Sequence, residues 1–476
     1  MDNNEKTLRS GNSLEDTLEL EDDTLEVKNT TYENKQISEK LSRGSKLKVL
    51  DMDCVIVDIL SGGMGVVYIC KEILTGIPIV LKTSSIKNAK FEEALRWEAE
   101  VWVKLGYHKN IVQALGVEKI FNTLFIILEY VEPYQCKKIK LRNLKDWIAV
   151  GLLGKENLVR VIDFAIQFCN GIIYAQDKFY QEQRTPFIHR DIKSTNILVS
   201  KEGILKITDF GLVQALFQIE EPLFRQFKEQ KLLDTEFTME GTICGTPLYM
   251  APEVWERNPD IDERTDIYSF GCTMYEMITG SPPFLYPFER LRKAHLIDLP
   301  KPIEGIPKKL NKIVLKCLEK DQKDRYSSFF ELKEDLCKFY LNITGQEYPI
   351  NEIQYEESAQ YYLHAGLDLE KLGKFKEALD YYEKASKVDP ENYEAYYYKG
   401  KICKKLKMYQ RALNDFSNAL KFNPKFAKGY LERGLIYLEL SKSSLAKEDF
   451  KKFIKFASVK DFALINLAKK MLEKLE

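Results

Sequence analysis

The residues best suited to chemistry fall in two short strings, Ile188-His189-Arg190-Asp191-Ile192-Lys193-Ser194-Thr195-Asn196 and Thr208-Asp209-Phe210-Gly211. An Asp, a Lys two places on, an Asn five places on and a second Asp past a short hairpin can all reach one nucleotide phosphate tail. Such a set supports phosphoryl transfer, which depends on positioning and electrostatic stabilisation rather than covalent catalysis. Each residue alone reads as ordinary solvated charge, so its meaning depends on the elements that hold it.

At 476 residues the length corresponds to about three domains, and 45% apolar residues can bury substantial cores. There is no run of 18 or more apolar residues, and the first residues are acidic. The expectation is a soluble cytoplasmic protein with no membrane span and no secretory signal. Nine Cys without a C-x-x-C pair, and only four His, argue against a disulfide framework or structural zinc. A net charge of -1 gives no pull toward nucleic acid or anionic membrane.

Residues 1–46 are rich in Asp, Glu, Asn, Ser and Thr and read as a disordered acidic tail. Within it Asp16-Thr17-Leu18-Glu19 recurs as Asp23-Thr24-Leu25-Glu26, two Thr in matching acidic surroundings; an ordinary solvated tail is the preferred reading over a pair of phosphorylation switches or phospho-dependent docking sites. Residues 55–60, 66–70 and 79–82 are β-branched runs that read as antiparallel strands. The first two are joined by Ser61-Gly62-Gly63-Met64-Gly65, whose glycines allow backbone N–H groups close to phosphates. Residues 91–105, 141–150 and 159–179 read as helices, and 125–131 as an apolar strand ending at a Glu. The basic cluster at 137–145 reads as a solvated face.

Two further strings, Gly245-Thr246-Pro247-Leu248-Tyr249-Met250-Ala251-Pro252-Glu253 and Asp266-Ile267-Tyr268-Ser269-Phe270-Gly271, complete a pattern that resembles the eukaryotic-type protein kinase family over about residues 53–340. The resemblance implies an α+β bilobal fold across 47–340, with an antiparallel-sheet N-lobe to about 131 and a mainly helical C-lobe from 132. It implies Asp191 as the base that accepts or orients the hydroxyl proton, and Lys193 as the cation on the transferred phosphoryl group. Asn196 and Asp209 would be the hard oxygen ligands of Mg²⁺, with Mn²⁺ as an alternative. Lys82 would hold the α and β phosphates of ATP, oriented by Glu98. Glu100 is the competitor, but two residues turn a helix by about 200°, so only one can face the lysine.

The same resemblance assigns nucleotide contacts to Leu60, Gly62, Gly63, Gly65, Val67, Glu129 and Val131, with Leu128 guarding the back of the pocket. Leu60 departs from the family, which has a glycine there. Glu253 should pair with Arg325, Asp266 should anchor the catalytic loop, and Lys193 with Thr246 fits the Ser/Thr branch. Arg190 would receive a phosphate from the activation segment, with Thr242 the first candidate acceptor, then Thr238 and Thr235. Residues 222–233 form either a short helix over the cleft or a mobile insertion.

After a linker at 341–354, Gly366, Gly400 and Gly434 stand 34 residues apart, as do Ala378, Ala412 and Ala446. Aromatics keep the period at Tyr362, Tyr396 and Tyr430 and at Tyr382, Phe416 and Phe450. Residues 355–476 resemble three tetratricopeptide repeats plus a capping helix, an all-α solenoid whose groove takes a protein or peptide ligand. Lys428 fits the relatives that clamp a terminal carboxylate, but Leu363, Leu367, Tyr398 and Glu432 do not, so that ligand class is not expected. This region carries 24 Lys and Arg against 18 Asp and Glu, and the acidic tail could fold back on it. The reading is a serine/threonine protein kinase acting on protein substrates, with repeats that recruit partners. The alternatives are a nucleotide-binding pseudokinase scaffold, to which Leu60 points, and a small-molecule kinase.

Overall fold

The computed structural model describes residues 41–61, 65–84, 89–183, 187–210, 246–256, 258, 260–349 and 358–475. A six-stranded antiparallel sheet comes first: β1 (Lys46–Val49), β2 (Met52–Ser61), β3 (Gly65–Glu72), β4 (Pro78–Ser84), β5 (Ala114–Ile120) and β6 (Thr123–Glu129), in the order β1-β2-β3-β4-β6-β5. Helix α1 (Ala89–Leu105) packs on β4, β5 and β6 and shares a core with Leu124, Ile126 and Leu128 of β6, while Phe125 and Ile127 are buried on the opposite face, Phe125 against Tyr68. Chain entry differs from expectation. The sequence predicts a disordered tail as far as residue 46 and a first strand at 55, yet Leu47 pairs with Cys54 and Val49 with Met52. Leu50 and Asp51 turn this hairpin with φ of 47° and 65°, and without Gly or Asn they give no turn signal in the sequence.

Below the sheet, β7 (Tyr134–Cys136) and β8 (Ile139–Leu141) form a hairpin whose turn and second strand fall in the basic cluster at 137–145. Helix α2 (Leu144–Ala149) starts three residues later than expected because Asn143 and Asp146 close a capping box there. Helix α3 (Leu158–Gln183) is the C-lobe axis, with the Phe168 ring stacked 4.0 Å from Phe270. By length and composition residues 155–181 pass as long and apolar enough to cross a membrane, but Phe164, Phe168 and Ile172 are fully buried in the lobe core. The hairpin of β9 (Ile197–Val199) and β10 (Leu205–Ile207) lies between Asn196 and Asp209.

Helices α4 (Pro252–Glu256), α5 (Glu263–Thr279), α6 (Phe288–Leu296), α7 (Lys308–Cys317) and α8 (Phe329–Thr344) complete the lobe. Helix α8 ends where Gly345 caps it at φ 71°, beyond the residue 341 at which the linker was expected. The repeats are helix pairs: α9 (Ala359–Lys371) with α10 (Phe375–Val388), α11 (Tyr393–Lys405) with α12 (Tyr409–Phe422), and α13 (Ala427–Glu439) with α14 (Ser443–Phe456), closed by α15 (Phe462–Leu475). Each periodic glycine lies under the periodic aromatic of its own pair. A Cβ on Gly400 would stand 2.7 Å from the Phe416 ring, and one on Gly366 would stand 2.4 Å from Tyr382.

Gly400→Ala therefore sets two effects against each other. Alanine gains about 1 kcal/mol in helix propensity, whereas overpacking costs about 1–3 kcal/mol. The contact is to a fully buried ring, so we expect a net loss, read as a lower urea midpoint of the full chain. A raised midpoint would refute the close-packing role.

Candidate active site

Strand pairing sets the site from above. Lys82 on β4 lies opposite Val67 on β3 and Ile126 on β6, which aims its side chain between the lobes. Its ammonium is 2.5 Å from Glu98 Oε1 and 2.5 Å from Asp209 Oδ1. Glu98 is the carboxylate that α1 presents to the lysine; Glu100 faces away and pairs with Lys104 and Lys374 at 2.6 and 2.8 Å.

From below, the loop that carries Asp191 is held by its backbone. Asp266 Oδ2 accepts the His189 N–H at 2.6 Å and Oδ1 accepts that of Arg190 at 2.8 Å. Arg190 and Asp209 both sit in the left-handed region, with φ of 65° and 64°, conformations costly for non-glycine residues and held here by their surroundings. The Asn196 amide donates to the Asp191 carboxylate at 2.8 Å and to its carbonyl at 3.0 Å, and Lys193 Nζ stands 2.9 Å from the same carboxylate. Lys82, Glu98 and Asp209 thus meet at one point, while Asp191, Lys193 and Asn196 form a second group on the same loop and hairpin.

Charge in this cleft is unevenly balanced. Burial opposes the Lys82 ammonium, but Asp209 and Glu98 outweigh it and hold the group above the ordinary lysine value. Burial also raises the Glu98 carboxyl, and Lys82 only partly offsets this. For Asp209 the balance reverses: Lys82 overcomes burial and keeps the carboxyl below its usual range. Two carboxylates around one ammonium leave excess negative charge, which suits a divalent cation. Among the described residues no three His, Cys, Asp or Glu gather as a metal cage. The donors are the Asp209 carboxylate and the Asn196 amide oxygen, its nitrogen being spent on Asp191. A hard cation that keeps water and phosphate oxygens fits that sparse set.

The residues expected to face the nucleotide are partly described. Leu60 and Val67 are cross-strand neighbours at the mouth of the β2–β3 hairpin and Gly65 starts β3 beside Thr83; Gly62 and Gly63 lie outside the described residues. Val131 is half-buried just past β6. Glu129 has a further task, since its carboxylate accepts the Gln113 N–H at 2.8 Å and meets Lys206 Nζ of β10 at 2.7 Å, tying the lobes together. Thr235, Thr238 and Thr242 and the segment 222–233 also lie outside the described residues. Thr246 opens a 3-10 turn whose Tyr249 hydroxyl donates to Glu276 at 2.7 Å. Glu253 and Arg325 form a two-pronged pair, both contacts 2.8 Å, buried on both sides.

Trp102 has no assignment in the sequence reading. Its indole N–H donates to Glu98 at 3.4 Å and its ring meets the fully buried Phe210 edge-on at 5.1 Å, coupling α1 to the residue after Asp209. The signal was available, because Trp102 stands four residues from Glu98 and shares its helix face.

A protein kinase domain model matches residues 55–337, and the chain belongs to the protein kinase family. Tetratricopeptide repeat models match residues 359–392, 393–426 and 427–459. A probable serine/threonine-protein kinase of Clostridium acetobutylicum is 29% identical over 294 residues, covering 60% of this chain and 39% of the relative. MAP3K epsilon protein kinase 2 of Arabidopsis thaliana is 32% identical over 291 residues, 60% of this chain and 19% of its own. A probable serine/threonine-protein kinase of Bifidobacterium longum is 31% identical over 299 residues, 59% and 38%. The chain therefore spans well under half the length of these curated relatives.

The Glu253–Arg325 pair gives a pH-dependent prediction. Burial raises the Glu253 carboxyl, but Arg325 more than reverses it, so the folded value lies below the ordinary 4.5. A depressed acid stabilises the fold above its unfolded value and loses that contribution as pH falls through the folded value. Glu253→Gln should cost about 3–5 kcal/mol at pH 7, because it leaves a buried guanidinium uncompensated. The gap to wild type in urea unfolding should narrow below pH 4.5. A gap independent of pH would show that the carboxylate charge is not what stabilises the site.

Proposed function

We propose that the protein is a serine/threonine protein kinase that transfers the ATP γ-phosphate to protein hydroxyls. The observation that carries this reading is the Lys82 ammonium held between Glu98 and Asp209, on the same cleft as Asp191 with Lys193 and Asn196 beside it. Lys82 holds the phosphate tail. Asp191 accepts or orients the proton of the incoming hydroxyl, and Lys193 lies where it can neutralise charge on the moving group. Members of this family generally use ATP and Mg²⁺; Asn196 and Asp209 would hold the cation, which supplies charge neutralisation on the phosphates. Leu60 in place of a glycine favours the scaffold reading, but the assembled lysine and carboxylates count against it.

The repeats are read as a recruiting module. A cavity of about 500 Å³ on that module is lined by the aromatics Tyr397, Tyr398 and Phe426 together with Lys401 and Lys428 and the acidic Glu394 and Asp461, a mixed apolar and charged lining that supports a peptide ligand. The eight cysteines described are all free thiols, which supports a reducing, cytoplasmic setting.

Purified protein incubated with labelled ATP and Mg²⁺ should become labelled, and Asp191→Ala should lower the rate by about a hundredfold or more. Equal incorporation in both samples would exclude the mechanism. We also infer regulation by autophosphorylation, with a phosphate on the activation segment received by Arg190. Mass spectrometry of active protein should find phosphate on Thr242, Thr238 or Thr235, and a fully active protein unmodified at all three would overturn this.

A further inference from the structure

Helix α1 is held on two sides. Glu98 faces Lys82, while Glu100, about 200° further round the helix, faces the first repeat. There Glu100 and Lys104, whose side chains are only 10% and 9% exposed, pair at 2.6 Å. Both are clasped from the start of α10: Lys374 meets Glu100 at 2.8 Å and Glu377 meets Lys104 at 2.5 Å. Burial pulls both groups toward neutrality, yet the pairing outweighs it in each, so Glu100 stays anionic and Lys104 cationic.

Two more contacts extend this grip. The Tyr361 hydroxyl of α9 donates toward the Val103 and Lys104 carbonyls at 3.4 and 3.3 Å, covering last-turn carbonyls that have no partner within a helix. It fits because Gly106, at φ 68°, has no Cβ; one placed there would stand 3.0 Å from the Tyr361 oxygen. Beside it, Asp368 accepts the Val117 N–H at 3.3 Å and Lys371 donates to the Val117 carbonyl at 3.1 Å, at the bulge in β5. From the kinase domain itself, Tyr174 of α3 donates to the Leu105 carbonyl at 2.7 Å.

We propose that the first repeat is a built-in brace of the kinase domain, its residues Tyr361, Asp368, Lys374 and Glu377 acting on Glu100, Lys104 and Val117 to position Glu98 against Lys82. These are positioning residues: none faces the cleft, and their effect passes through α1. The proposal rests on the kinase reading above. It extends that reading by making the repeat module part of the catalytic apparatus as well as a recruiter.

The test uses the full chain carrying Lys374→Ala with Tyr361→Phe. Lys374 is 44% exposed and the tyrosine change removes one oxygen, so folding should survive, checked by an unchanged urea midpoint. Two readouts are taken: amide hydrogen exchange across residues 89–105, and kcat for labelled-phosphate incorporation with and without Glu98→Gln. Expected are faster exchange in α1 and a kcat lower by about tenfold or more, the scale of a small misplacement far from the chemistry. On the Glu98→Gln background the same pair of changes should add no further loss, because what they position is already gone.

Unchanged exchange in α1, unchanged kcat beside an inactive Asp191→Ala control, or losses that simply add would each overturn the brace while leaving the kinase reading intact. Wild type that incorporates no more phosphate than Asp191→Ala would overturn both.

Discussion

One ammonium shared by two carboxylates is the constraint on which this structure depends. Burial works against the Lys82 ammonium, Glu98 and Asp209 outweigh that burial, and the ammonium in turn lets the two carboxylates share one corner of the cleft. The three groups come from a strand, a helix and the end of a hairpin, so their meeting fixes the relation of sheet, α1 and C-lobe at once. Much of the remaining scaffold keeps those three supports from drifting. Phe210 and Trp102 lock the hairpin to the helix, Asp266 holds the loop backbone, and Glu129 with Lys206 joins the lobes.

The buried pairs differ in kind. Glu253 and Arg325 satisfy each other through two parallel contacts, and further hydrogen bonds from Thr265 and to backbone carbonyls complete the arrangement. That pair can be static. The cleft cluster is instead left with more negative than positive charge, a poor arrangement for stability alone. Excess charge maintained at such cost, together with left-handed backbone at Arg190 and Asp209, is what a site prepared for a cation and a phosphate tail would carry.

The site was legible in the sequence where its residues are close in the chain or end recognisable elements: Asp191, Lys193 and Asn196 lie within one loop, and Lys82 ends a β-branched run. Helix geometry allowed only one of Glu98 and Glu100 to face Lys82, and the spacing to His108 within the family resemblance favoured Glu98. What escaped notice was long-range. Strand β1 is hidden in a polar tail because its two-residue turn lacks Gly or Asn, and the β7–β8 hairpin is hidden because its turn and second strand fall in a lysine cluster whose charge is solvated while its backbone pairs. The 34-residue period exposed the repeats, but no local signal marks the contact of Tyr361 with Lys104, 257 residues apart.

Docking of the first repeat on α1 also separates what binds from what aligns. Leu363, Ala365 and Leu369 belong to one continuous hydrophobic core with Trp102, Val103 and Val117, and such burial supplies the favourable free energy. The ion pairs among Glu100, Lys104, Lys374 and Glu377 add little net stability, since desolvation offsets most of their attraction. Their value is directional, because apolar surfaces tolerate sliding whereas a ring of alternating charges has one register. On an ordinary exposed helix Glu100 and Lys104 would be a solvated i,i+4 pair worth a few tenths of a kcal/mol. Buried beneath the repeat, the same pair fixes the rotation of α1, the coordinate that decides whether Glu98 reaches Lys82.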